Sequence, residues 1–281
     1  MIKKTGLGVR ILQYAFLVMA VIFALYPVWF AILASGRAGG RLYTLSLPGM
    51  FFPVEWSFEN FRFMLFERPY LTWLLNSFKV ATITTIASLI VCTSAAFALS
   101  RFRFRGREFF LIFLLAISTF PGILSLVAIA QVLTAIGLFG DHAGLVMAFT
   151  SATLVFCTWN LKGYFDTIPI DLEEAAQIDG TTPVQAFFLI ALPLARPALA
   201  VTAILAFMTG WGDFIFSSVL VPAPDSQKLA VPALYSLANS VAVPWGQFAA
   251  GAVIVVIPTV LVYLALNRYF ESGLTVGGVK G

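Results

Sequence analysis

Long apolar stretches separated by short polar segments make up most of this chain. Six of them are long enough to cross a bilayer as helices, since about 20 apolar residues at ~1.5 Å each span its hydrocarbon core. Pro121 and Pro258 lie inside two of these stretches, where neighbouring helices can accommodate a kink. The predicted spans are residues 11–34, 76–99, 109–138, 144–161, 194–221 and 248–266.

Lysine and arginine are distributed unevenly between the polar loops. The first ten residues carry three of them, and the loop "RFRFRGRE" after the second stretch carries four arginines. The loop "FGDHA" after the third stretch carries neither residue type. Because short cytoplasmic loops have an excess of these residues, we expect both termini and the loop 166–193 in the cytoplasm. The loops 35–75 and 222–247 are then expected to lie outside.

The composition places most of the chain in a bilayer rather than in water. Charged residues make up 11% of the sequence, against about 25% in soluble domains, and the mean hydropathy is +0.95. The net charge of +4 indicates topology rather than nucleic-acid binding, because the basic residues form no soluble basic domain.

Cys92 and Cys157 lie in apolar runs and are expected to be buried thiols, and His142 has no neighbours at metal-ligand spacing. We therefore expect no catalytic residue and no metal site.

Five of the 13 acidic residues fall in one short segment, "DTIPIDLEEAAQIDG", residues 166–180. An aspartate at the centre of a bilayer costs about 2.5–3.5 kcal/mol, so this segment lies outside the hydrocarbon. Asp171, followed three residues later by Glu174, has the form of a capping box and predicts the start of a short helix. Gly180 is expected in a left-handed conformation after the last turn of that helix. The pattern "TPVQ" from Thr182 predicts a second helix start.

Two interpretations of the acidic segment are open from its residues. Ala175 and Ala176 leave room for another body to approach the helix closely, which favours a docking surface. Alternatively, the acids only keep a surface helix solvated. Adjacent helical residues point about 100° apart, so Glu173 and Glu174 form no shared hydrolytic site, and Glu173 is expected to be solvated on a different face.

A longer pattern in this segment resembles a known signature. Glu174-Ala175-Ala176, three residues, Gly180, nine residues and then "IALP" are similar to the EAA signature of ABC importer permeases. "LLNSFKVA", "WGDFIFSSVLV" and the C-terminal "NRYFESGLTVGGVKG" resemble carbohydrate-importer permeases of the maltose type. The resemblance implies one all-α transmembrane domain over residues 1–281, with the MetI-like fold of six transmembrane helices and cytoplasmic EAA coupling helices.

The same resemblance assigns roles to individual residues. In the family, the EAA loop, here 166–193, docks into a cytoplasmic ATPase, the tail, here 271–281, inserts between two ATPase subunits, and an outer loop contacts a binding protein. The residues implied for coupling are Glu174, Ala175, Ala176, Asp179, Gly180 and Pro193. Those implied in the tail are Gly273, Gly277, Gly278 and Lys280, and those in the outer loop are Asp225, Gln227 and Lys228. From composition alone, the candidates for lining a sugar pathway are Gln131, Asn160, Trp211 and Asp213.

Partners and location follow from the resemblance as expectations. They are a second, MalF-like permease subunit, two copies of a cytoplasmic ATP-binding subunit, an extracytoplasmic solute-binding protein and the lipid bilayer, but no nucleic acid. ATP and magnesium would be bound by the ATPase subunits, with no cofactor in this chain. The expected location is the cytoplasmic membrane of a bacterium or archaeon, and the expected cargo is maltose, maltodextrin or a related oligosaccharide.

The energy source separates this interpretation from an alternative. The chain has no G-x-x-x-x-G-K-[ST] stretch that could cradle the phosphates of ATP. The energy therefore comes from another chain or from an ion gradient, and an ion-coupled secondary transporter is the alternative function. Such a transporter would hold ionisable groups near mid-span, and the predicted spans are nearly free of them.

Overall fold

The computed structural model describes residues 6–38, 47–53, 55–222, 224–239 and 243–276; within them the side chains of Leu47, Asp225 and residues 268–276 are not described. This part of the chain is helical, with turns and one isolated antiparallel bridge between Arg37 and Trp56, so the all-α expectation is confirmed. The α-helices are α1 (Leu7–Ser35), α2 (Leu47–Phe51), α3 (Glu59–Arg62), α4 (Tyr70–Arg101), α5 (Arg107–Ser118), α6 (Leu126–Ala135), α7 (His142–Phe165), α8 (Asp171–Ile178), α9 (Pro183–Ala186), α10 (Leu192–Leu194), α11 (Arg196–Gly212), α12 (Ile215–Leu220), α13 (Ala230–Ala238) and α14 (Trp245–Val276). Two π-helical turns (Phe63–Glu67, Phe187–Ala191) and two 3₁₀ turns (Gly122–Ser125, Asp225–Gln227) complete the described elements.

Four helices are long and apolar enough to cross a membrane: α1, α4, α7 and the Trp245–Asn267 part of α14. Two further candidates are bent pairs, Arg107–Ser118 with Gly122–Ala135 (93°) and Pro183–Leu194 with Arg196–Gly212 (77°). The described residues therefore hold four such helices, or six if each bent pair is one span.

The predicted third span is not one continuous helix. α5 ends at Ser118, and Pro121 follows in an extended conformation with ψ of 115°. Proline lacks an N–H and disfavours a helical residue before it, so the helix stops here instead of kinking gently. The predicted fifth span also ends early, because α11 stops at Gly212 and Asp213 is extended.

The chain divides into two compact units, residues 1–71 with 234–256 and residues 72–233 with 257–281. In the first unit, the Tyr70 hydroxyl donates to the Gly251 carbonyl (2.6 Å). A Cβ at Gly251 would come within 2.3 Å of a terminal methyl of Leu234, so a larger residue there would displace that side chain. The glycine contact and the buried hydrogen bond thus join α14 to α13 and to the start of α4 within the first unit.

The second unit has two hydrophobic clusters. The first joins α4, α6, α7 and α12, with Val80, Leu133 and Phe149 among its buried members. The second lies beneath residues 166–193 and joins α4, α7 and the start of α11. It contains both cysteines as buried free thiols, as the sequence predicted. The acidic segment, residues 166–180, packs against this second cluster through Ile168.

Candidate functional site

The EAA segment, residues 166–193, is a helix–turn–helix as predicted, but its first helix begins differently. Ile170, before α8, already has helical backbone angles, and α8 has no side-chain cap. The amides of Glu173 and Glu174 donate to the Ile170 carbonyl (2.9 and 3.1 Å). The predicted capping box from Asp171 is therefore wrong, because Asp171 is the first helical residue. Its carboxylate instead lies in the first turn, where negative charge suits the helix dipole.

The turn after α8 has the predicted left-handed glycine. Gly180 has a φ of +95°. Its amide donates to the Gln177 carbonyl, and the Thr181 amide donates to the Ala176 carbonyl, both at 3.1 Å. These two hydrogen bonds are those of a Schellman motif. No atom lies within 4 Å of a Cβ added at Gly180, so backbone conformation rather than space requires glycine here.

The second helix begins with the predicted capping box and then widens. Thr182 and Gln185 exchange side-chain to backbone hydrogen bonds of 3.2 and 2.8 Å, with Pro183 in the first turn. The following turn, Phe187–Ala191, is π-helical, and the Leu192 amide donates to the Phe187 carbonyl. Pro193 has no N–H and would crowd the carbonyl four residues earlier in a regular α-helix. The wider turn accommodates this proline.

Glu173 is buried, which contradicts the expectation that it is solvated. Its residue exposure is 5%, and its Oε1 accepts from Nε of Arg101 at 2.8 Å. The Arg101 guanidinium also donates to the Ile168 carbonyl (3.0 Å) and to the Ser100 hydroxyl (3.1 Å). Arg101 is the last residue of α4, so this clamp joins α4 to α8. In the sequence, Arg101 is only one of the four arginines in "RFRFRGRE", so its pairing with Glu173 could not be predicted.

A second polar contact holds the start of the segment. The Ser100 hydroxyl donates to Oδ1 of Asp166, and the Lys162 ammonium lies against Oδ2, both at 2.6 Å. Burial raises the pKa of Asp166, but the hydrogen bonds from Lys162 and Ser100 outweigh it and hold this pKa below its ordinary value. The Asp166 carboxylate is therefore ionised at neutral pH and links the ends of α4 and α7.

The face of α8 that points away from α4 is exposed. Glu174 and Ala175 are exposed, Ala176 is half-buried, and Glu174 has no ion pair within the described part of the chain. Large apolar side chains of the same EAA segment are also exposed, and exposed apolar surface together with polar groups is typical of a protein contact. Those exposed by more than two fifths are Ile170 (47%), Leu172 (46%), Ile178 (87%), Val184 (66%), Phe188 (57%) and Leu189 (63%).

Comparison with known proteins decides the family. Residues 88–276 match the family described as "Binding-protein-dependent transport system inner membrane component". The chain belongs to this family. It is thus a membrane component of an ABC importer and not an enzyme, which decides against the ion-coupled secondary transporter.

Relatives named for the transport of sugars match between about three quarters and nearly all of the permease. It is 34% identical over 273 residues to the galactooligosaccharides transport system permease protein GanQ of Bacillus subtilis, covering 96% of this chain and 95% of the relative. It is 41% identical over 219 residues to the maltose/maltodextrin permease MalG of Salmonella typhimurium, covering 76% and 73%. A crystal structure of a bacterial ABC transporter involved in importing the acidic polysaccharide alginate aligns with a TM-score of 0.83. At 23% identity, with 95% and 99% coverage, that likeness shows the fold alone.

The permease holds its predicted outer loop at three points that sequence reasoning missed. The Asn76 side-chain amide donates to the Ser226 and Lys228 carbonyls (2.9 and 3.0 Å). The His142 ring is 2.8 Å from the Gln227 carbonyl. The Ser77 hydroxyl accepts from the Ala230 amide at 2.9 Å. The available signal was the motif "LLNSFKVA", which contains two of these three residues. Of the predicted loop residues, Gln227 is exposed and Lys228 is half-buried.

The four predicted pathway residues of the permease have different surroundings. Gln131 is exposed on α6. The Asn160 amide lies 3.4 Å from the Thr202 hydroxyl, and Trp211 is buried and stacked on a neighbouring phenylalanine. The Asp213 carboxylate accepts from the Ser217 amide (2.8 Å) at the start of α12. Trp211 thus packs within the chain and Asp213 bonds the first turn of α12, and the lining of a sugar pathway by these four residues stays a prediction.

The predicted tail lies mostly outside the described residues of the permease. α14 continues through Val276, so the backbone of Gly273 is helical. The helix thus extends past the first of the four predicted tail residues. Gly277, Gly278 and Lys280 lie outside the described residues. Within the described residues, no three His, Cys, Asp or Glu side chains form a group that could hold a metal ion.

Proposed function

We propose that this permease is one of two non-identical membrane subunits of an ATP-driven carbohydrate importer. The observation that carries the proposal is the two-sided α8, whose Glu173 is buried and paired with Arg101 while the next residue, Glu174, is exposed. One acid fixes the helix to the transmembrane part, and the other remains available to a basic group on another chain. Such a helix can transmit a movement of that chain to α4.

The partner on this face is a cytoplasmic ATP-binding subunit, present in two copies, which binds ATP and magnesium. Ala175 and Ala176 allow its close approach, and Asp179, Gly180 and Pro193 set the direction of the second helix. The tail residues Gly273, Gly277, Gly278 and Lys280 extend the contact. A MalF-like permease and a solute-binding protein complete the importer.

The cargo is maltose, maltodextrin or a related oligosaccharide, supported by what the names of the relatives say they transport. The test is the ATPase activity of the reconstituted importer with binding proteins loaded with different sugars. Maltose, maltodextrins and galactooligosaccharides are the first probes. Stimulation by a loaded amino-acid-binding protein and by none of the sugars would exclude a carbohydrate importer.

Labelling from the two sides of the membrane tests the proposed topology. We expect a cysteine at Gln177 to react with an impermeant thiol reagent only from the cytoplasm. One at Glu59 or Gln227 should react only from outside. All three side chains are exposed, and the native Cys92 and Cys157 are buried, so the background is low. Outside labelling at Gln177 contradicts the proposed orientation.

The outer loop with Asp225, Gln227 and Lys228 is proposed to contact the binding protein. We expect Asn76→Ala to weaken stimulation by the loaded binding protein several-fold while the complex still assembles, because two backbone hydrogen bonds to the loop are lost at ~1 kcal/mol each. The measurement is ATPase activity against binding-protein concentration. Ser94→Ala, which removes a hydroxyl bonded within α4, is the control. An unchanged half-saturating concentration in Asn76→Ala would show that this anchoring has no part in recognition.

A further inference from the structure

A short link between α4 and α5, residues 102–106, has a composition that the proposed function does not explain. Arginine and phenylalanine alternate along "RFRFRGR", residues 101–107. Both ends of the link are fixed: the Phe102 ring packs edge-on against Phe97 at 6.1 Å, and Nε of Arg107 donates to the Leu99 carbonyl at 2.7 Å. Gly106, with a φ of +93°, turns the chain into α5. The link is therefore a defined structure rather than a loose loop.

The four arginines of this region fall into two pairs. Arg101 and Arg107 hydrogen-bond to the body of the permease. Arg103 and Arg105 are exposed, and within the described part of the chain neither makes an ion pair or a hydrogen bond. Two guanidinium groups two residues apart therefore have no partner among the described residues. Two such charges side by side suit a phosphate, which guanidinium groups bind bidentately.

The phenylalanines of the link add an apolar side. Phe102 and Phe104 are 52% and 48% exposed. Residues 102–104 are non-helical and Arg105 and Gly106 form a turn, so the two rings and the two guanidinium groups alternate along one short exposed stretch. α5 continues the apolar surface, with Phe109 72% and Ile112 65% exposed. Charged groups and apolar surface thus meet along one edge, as the headgroup and acyl regions of a bilayer do.

We propose that this link binds the headgroup of an anionic phospholipid. Residues 103–109 line a groove of about 720 Å³. Arg103 and Arg105 bind the phosphate, while the exposed rings and α5 contact the acyl chains. Glu108 also lines the groove and repels the anion, so it weakens the site. Basic groups beside a transmembrane helix attract anionic lipids in this way.

A lipid fits this surface better than an acidic protein does. The link leads directly into α5, which belongs to a candidate membrane span, so Arg103 and Arg105 lie where a bilayer surface is expected, and a soluble acidic protein would have to compete with lipid there. A phospholipid supplies the anion and the apolar chains in one molecule. The proposal does not depend on what the importer carries or on how it is coupled to ATP.

The test compares lipid retention by the purified importer in mixed phosphatidylcholine and phosphatidylglycerol. The double variant Arg103→Gln, Arg105→Gln should bind phosphatidylglycerol at least about tenfold more weakly, by native mass spectrometry or lipid titration. Glu108→Gln should bind it more tightly. The exposed Arg196→Gln, which removes an arginine elsewhere, should match the wild type.

Two results would overturn the proposal. In one, the double variant retains as much phosphatidylglycerol as the wild type. In the other, it keeps the lipid but loses co-purification of the ATPase subunit in detergent, which would assign the link to a protein contact. Lipid retention and co-purification of the ATPase subunit are both measured without sugar transport. The lipid proposal can therefore fail while the proposed function stands, and the reverse.

Discussion

Charge reversal at Glu174 should abolish ATP-driven sugar uptake while leaving the permease at its normal level in the membrane. Glu174 is exposed and unpaired within the described chain, so Glu174→Lys has no partner to lose there. At an ATPase contact, the new lysine would face a basic group, and an uncompensated buried charge costs several kcal/mol. A loss of ~3 kcal/mol weakens docking more than about a hundredfold, at ~1.4 kcal/mol per decade.

The measurements are membrane level, co-purification of the ATPase and uptake. Glu67→Lys is the matched control for uptake, because it reverses an exposed acid outside the EAA segment. If Glu174→Lys shows wild-type uptake and co-purification, the acids of α8 only keep a surface helix solvated. In that case α8 is anchored to α4 but does not dock to the ATPase.

Breaking the clamp between Arg101 and Glu173 should have an equally large effect by a different route. Arg101→Ala leaves the Glu173 carboxylate buried without its cation, and removing one partner of a buried pair costs about 3–5 kcal/mol. The Ile168 carbonyl also loses its donor. α8 should then detach from α4, while the apolar helices remain inserted. We expect ATP hydrolysis to persist with little or no transport, together with faster proteolysis within residues 166–180.

The reciprocal variant separates charge from packing. Arg101→Glu combined with Glu173→Arg restores an ion pair and should recover part of the uptake that either single reversal loses. Lys79→Ala is the control, because it removes an exposed cation of α4 that makes no ion pair within the described part of the chain. Wild-type ATP-driven uptake by Arg101→Ala would contradict a role for the clamp. Uptake by the double variant that is no higher than that of either single reversal would also contradict it, since the two charges would then not act as a pair.

The two predictions test the two sides of one helix. Adjacent residues of α8 point about 100° apart, so one carboxylate can be buried while the next is exposed. Glu174→Lys should fail at docking, with the ATPase lost from the complex. Arg101→Ala should retain the ATPase and fail at transmission. Co-purification therefore distinguishes the two defects even where uptake is lost in both.

The local features of the EAA segment were predictable from sequence because they depend on neighbours within a few residues. The left-handed Gly180 and the capping box of Thr182 and Gln185 were predicted and confirmed. The start of α8 was not, because the turn before Asp171 is already helical. The break near Pro121 was predicted only as a kink, since the bend depends on what packs against the helix.

Hydropathy was enough to predict that this protein spans a membrane, and the spacing of caps and glycines was enough to predict the helix–turn–helix within residues 166–193. Both depend on residues that are close together along the chain. The burial of Glu173 and the exposure of Glu174 became known only from the packing of α8 against α4. Arg101 and Glu173 are 72 positions apart, and Asn76 and Lys228 are 152 apart. No local pattern specifies such pairs, because the face a helix buries is set by the helix it packs against.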